Sequence, residues 1–96
     1  MYYIENKEIV LIDPKRFGLS PRTSIGQLSK NHFVIIKDHK SRIIMKDGNQ
    51  ILEQIKSMND NEPNLKISLA TNATVCSKTT AFLKEKGIDI LSLEKQ

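Results

Sequence analysis

The chain has 96 residues, a formal net charge of +4, one cysteine and no tryptophan. That length suits one domain built on a single core, so residues 1–96 are expected to fold as one unit. A lone cysteine, Cys76, excludes an internal disulfide and a cysteine-rich zinc site, and no apolar run approaches the roughly 18 residues of a membrane span.

The N-terminus begins with two apolar runs, YYI and EIVLI, around Glu5-Asn6-Lys7, which read as a β-hairpin. It lacks the basic start and small-residue cleavage site of a secretion signal, so the expected location is the cytoplasm. Asp13-Pro14 ends the second strand, because proline donates no ladder hydrogen bond and biases its predecessor toward extended backbone. From Pro14 to Asn31 the chain is punctuated by prolines and glycines and reads as a long ordered loop, with SIGQLSKN as a helical turn or a brief strand. FVIIK and RIIMK follow, two continuous apolar runs expected to pair as a central hairpin covered on both faces.

Ile51, Leu52, Ile55 and Met58 then share one helical stripe, with Asp47 as the expected N-cap and Gln50 in a capping-box position. The stretch from Leu65 to Leu93 changes period twice. Leu65, Ile67 and Leu69 alternate with polar residues as a strand does. Val75, Cys76, Thr79, Phe82 and Leu83 form a helical stripe, and IDILSL re-extends after Gly87. A strand, crossover helix and strand of these lengths make a right-handed parallel unit. The expected fold is therefore α+β, a two-layer structure with a mixed β-sheet, N-terminal antiparallel hairpins, a C-terminal strand-helix-strand unit and two main helices on the sheet.

Charge is unevenly spread. Between Pro14 and Lys46 eight basic residues face the single acid Asp38, a segment charge of +7, while the rest of the chain sums to −3. Such a concentration favours polyanions as partners, nucleic acid first. The expected nucleic-acid contacts are Lys15, Arg16, Arg22, Lys30, Lys37, His39, Lys40 and Arg42, with nearby rings available for base stacking. The structural alternative is a solvated charged surface on a domain that binds a protein or has no catalytic activity. Monomer and small homo-oligomer both fit the length.

A second candidate is the turn entering the last helix. Thr71, Asn72 and Thr74 with Lys78 would offer hydroxyls, amides and a positive charge to an anion, although Asn72 or Thr74 capping the helix explains the same residues. No glycine-rich phosphate loop is present, so no cofactor is expected. Cys76, beside Val75 on the apolar stripe, is expected in the core.

One arrangement resembles an enzyme site. Asp13 ends one strand, and Asp38 and Lys40 are two residues apart near the end of another. This resembles the Asp, then Asp/Glu-x-Lys pattern of restriction-endonuclease-like nucleases, which implies acids holding a divalent ion and a lysine orienting water. The resemblance covers three residues. His32 and His39 lie at opposite ends of one strand and form no zinc pair, so no metal site is assigned.

Overall fold

The computed structural model describes residues 2–38 and 40–95. A five-stranded mixed sheet forms its centre, in the order β3-β4-β5-β6-β7: Val10–Ile12, Ser24–Ser29, His32–Lys37, Lys66–Thr71 and Ile90–Ser92. The first three strands are antiparallel and the last three parallel. A smaller sheet, β2-β1-β8, joins Lys7–Glu8, Tyr2–Ile4 and Glu94–Lys95, so both chain ends meet in it. The α+β class, the N-terminal hairpins and the parallel strand-helix-strand unit expected from periodicity are all present.

Helices α1 (Met45–Asn61) and α2 (Ser77–Glu85) cover one face of the large sheet. Phe33, Ile35, Ile67 and Leu69 of the sheet meet Ile51, Ile55, Met58 and Leu83 of the helices in one buried cluster. The opposite face presents Val34, Ile36 and Ala70, which the small sheet covers with Ile4, Ile9 and Leu93. This small sheet adds a further layer to the sheet and helices of the expected two-layer arrangement. It also explains why β5 reads as a continuous apolar run, since both faces of the strand are buried.

Several local expectations give way to tertiary pairing, while the brief-strand reading of SIGQLSKN is met by β4. The long loop is ordered as a 3-10 turn, Pro14–Phe17, followed by β4; β5 therefore pairs with SIGQLS, and RIIMK is not a strand. Of RIIMK only Ile43 makes a bridge, to Val75, and α1 already begins at Met45. Asp47 consequently lies inside the first turn, where its carboxylate accepts the Ile44 amide at 3.0 Å. The run EIVLI is split as well, because Ile9 turns inward between β2 and β3 and is 3% exposed.

Glycine makes that inward turn possible. A Cβ on Gly26 of β4 would collide with the Ile9 side chain, so the strand is bare where Ile9 crosses it. Gly48 does the same between helices: a Cβ there would lie 2.8 Å from Thr79 Cγ2, and α1 and α2 pack at this contact. No helix among the described residues is long and apolar enough to cross a membrane.

Candidate nucleic-acid interface

The strand registers define one end of the large sheet. Ser24 faces Ile36, Lys37 faces Thr71 and Thr71 faces Ser92, so the start of β4 and the ends of β5, β6 and β7 lie level. Both helices are entered from this end, α1 after β5 and α2 after β6, and their N-termini bring positive dipole ends to it.

Four expected contacts gather here. Arg22 and Lys37 line one open cavity of ≈ 250 Å³ with Tyr2, Ser24, Ile36 and Asp38. Lys40 and Arg42 follow β5, and Arg42 is held close to the α2 entrance because its neighbour Ile43 donates its amide to Thr74 O and accepts the Cys76 amide, at 2.8 and 2.9 Å. Lys46 and Lys78 join them in the first turns of α1 and α2. Lys37 is half-buried, and burial pushes its ammonium below the ordinary lysine range, with Asp47 opposing the shift.

Three of the other expected contacts lie elsewhere. Lys30 is in the β4–β5 turn, at the far end of β5 from Lys37. Arg16 is engaged internally: it makes a two-pronged pair with Glu62 at 2.9 and 3.0 Å and stacks 5.2 Å from the Phe17 ring and 5.3 Å from Phe33. Lys15 shares its 3-10 turn. His39 lies outside the described residues.

The proposed anion turn is largely a structural lock. Thr71 Oγ1 donates to Lys37 O at 2.8 Å and accepts the Ala73 amide at 3.0 Å, while Asn72 Nδ2 donates to Asp38 Oδ1 at 2.8 Å. Neither Asn72 nor Thr74 caps α2. That position belongs to Cys76, whose sulfur accepts the Thr79 amide at 3.4 Å and lies 2.8 Å from Thr79 Oγ1. Cys76 is thus a partly exposed cap and not a core residue, because α2 starts at Ser77 and the stripe begins with Thr79. The Thr79 hydroxyl, then its amide, lowers the thiol's pKa.

The nuclease-like triplet does not assemble. Asp13 caps the 3-10 turn by accepting the Lys15 amide at 3.0 Å, and β4 lies between β3 and β5, the strands that lead to Asp13 and Asp38. Strand β5 stops at Lys37, so Asp38 and Lys40 share no strand face. Asp38 instead pairs with Lys95 at 3.0 Å and accepts the Tyr2 hydroxyl at 2.9 Å. These donors, led by Lys95, then Asn72 and Tyr2, hold its pKa down at about 2. Among the described residues no group of three His, Cys, Asp or Glu side chains is placed to hold a metal ion.

Two solved structures share this fold. One is a repair endonuclease from Pyrococcus abyssi, with a TM-score of 0.61 and 14% identity over 76% of this chain and 32% of the endonuclease chain. The other is EndoMS in complex with double-stranded DNA, with a TM-score of 0.68 and 14% identity over 97% of this chain and 39% of the EndoMS chain. The chain therefore spans roughly a third to two fifths of the length of the proteins it resembles. No protein-family model matches it, and neither does any curated protein.

Sequence reasoning counted Lys46 in the basic segment without naming it as a contact, and placed Lys78 in a separate site. A strand-to-helix connection after each parallel strand is the signal that joins them, because each such helix must start where its strand ends.

Proposed function

We propose that this chain is a DNA-binding domain that sets the basic end of its large sheet against the phosphate backbone. The observation that carries the reading is the convergence of Arg22, Lys37, Lys40, Arg42, Lys46 and Lys78 beside two helix N-termini, with Asp38 and Asp47 the acids named there. Asp38 is occupied by Lys95, which leaves the local field positive. Arg22 and Arg42 would contact phosphates directly, and half-buried Lys37 would sit behind them. The fold's likeness to a repair endonuclease and to a protein bound to double-stranded DNA supports DNA as the polyanion.

Two double charge reversals test this. Arg22→Glu with Arg42→Glu alters the basic end, whereas Lys84→Glu with Lys86→Glu alters the far end of α2 by the same net charge. In fluorescence anisotropy with labelled duplex at low salt, only the first pair is expected to lose most of the affinity. It should also flatten the dependence of log K on log salt by about 1 per arginine. Equal losses from both pairs would reduce the binding to general polyanion attraction. No binding by the parent protein would overturn the reading.

A further inference from the structure

Ile44 breaks two local rules at the basic end. It occupies the N-cap of α1, a position that favours serine, threonine, aspartate or asparagine, and its side chain makes no cap hydrogen bond. It is also 49% exposed, so it does not fill the core either. Val10 and Leu11, the large apolar side chains comparably open among the described residues, lie on edge strand β3. Ile44 instead lies in a run of exposed cations, with Lys40 and Arg42 before it and Lys46 after it. Its mounting is firm. The backbone is extended, with φ −113° and ψ 178°, Asp47 Oδ2 accepts the Ile44 amide at 3.0 Å, and the Ile44 carbonyl accepts the Gly48 amide at 3.0 Å. The preceding residue, Ile43, is fully buried and tied to Thr74 and Cys76 by two main-chain bonds. Single exposed aliphatics are ordinary on protein surfaces; what sets Ile44 apart is the forgone cap together with its place among cations.

Resting on the DNA reading above, we propose that Ile44 is the base-contacting residue of this end: with Arg42 and Lys46 on phosphates, it enters the major groove and packs on thymine methyl groups. Charge complementarity selects the occupant. A cationic rim repels a basic partner and is matched by the two phosphate strands that border a groove. Between those strands the major groove presents one apolar group, the C5 methyl of thymine, and an aliphatic side chain is its natural contact. Phosphate contacts position a protein on the duplex without reading sequence, so this single residue would supply a preference for A·T pairs that the surrounding cations cannot.

Ile44→Ser separates a role in the fold from a role in contact. A serine there supplies the missing cap and completes a capping box with Asp47, whose carboxylate already takes the same amide, so the denaturation midpoint should rise. Affinity for a duplex of alternating A·T pairs, in which every register presents methyls, should nonetheless fall about five- to tenfold, the loss of an apolar side chain partly withdrawn from water. The slope of log K against log salt should stay as it is, because no phosphate contact is removed. Replacing every thymine by uracil deletes only the methyl; it should weaken the parent by a similar factor and leave Ile44→Ser unaffected. A parent that binds no duplex removes the DNA reading and this contact with it. A parent that binds overturns the contact alone if Ile44→Ser matches its affinity or if it does not discriminate thymine from uracil. An Ile44→Ser variant that melts below the parent also overturns it, since the isoleucine would then be kept for the fold.

Discussion

Ile9 and Gly26 show how a single residue sets the relation between the two sheets. Ile9 crosses over β4 at the one position without a Cβ, and its burial closes the cluster formed with Ile4, Val34, Ile36, Ala70 and Leu93. Gly26→Ala drives a methyl into Ile9, and the neighbours on that face are themselves packed, so relief requires a backbone shift. The expected cost is about 1–3 kcal/mol, read as a lower denaturation midpoint. Ile9→Ala combined with Gly26→Ala should lose less than the two single changes added together, because the clash is gone in the double variant. Strict additivity would show that Ile9 and Gly26 do not meet.

At the scale of the element, α2 is defined by an unusual cap. A thiol occupies the position that serine, threonine, aspartate or asparagine commonly takes, and it receives the Thr79 amide. Cys76→Ser keeps an acceptor there and should be close to neutral. Cys76→Ala removes it and should cost about 1 kcal/mol. Partial exposure and a lowered pKa also mean that the native protein should react with a thiol reagent faster than a core cysteine does, and the rate should fall as pH drops below the thiol's pKa. Labelling that waits for denaturation would contradict this placement of the sulfur. Helix α1 is entered differently, with Asp47 holding the Ile44 amide from within the first turn.

Across the whole molecule, Asp38 ties the end of β5 to both chain-terminal strands, through Tyr2 of β1 and Lys95 of β8, and to the loop after β6 through Asn72. Its pKa falls from 3.8 to about 2, so the stabilisation exists above the unfolded value and is lost as pH falls toward 2. Tyr2 and Lys95 are shifted upward, both chiefly by their hydrogen bonds to Asp38; their share is present at neutral pH and is lost on the alkaline side as each deprotonates. Denaturant midpoints measured from pH 5 to pH 2 should fall for the parent protein and fall less steeply for Asp38→Asn, which removes the titrating group. Identical slopes would place the acid sensitivity elsewhere.

Periodicity and turn chemistry by themselves determined the α+β class, the parallel strand-helix-strand unit from β6 to β7, the burial of β5 on both faces, the stripe of α1 and the Thr79, Phe82 and Leu83 part of the α2 stripe. Each rests on contacts close in sequence or on a repeat that a backbone geometry imposes on its own residues. Tertiary structure alone decided which strand pairs with β5, where α1 and α2 begin, and that Ile9 leaves its strand to fill the space over Gly26. RIIMK and SIGQLS compete for one partner, and the apolar run has the stronger local signal. Packing favours SIGQLS because its glycine admits Ile9, while Ile43 is drawn to Val75 at the entrance to α2. The basic segment was legible as charge but not as a surface. Sequence proximity grouped Arg16 and Lys30 with Arg22 and Arg42, whereas the fold spends Arg16 on Glu62 and two phenylalanines and sends Lys30 to the opposite end of the sheet. It keeps Lys46 there and brings in Lys78, because helices that follow parallel strands must start at the same end.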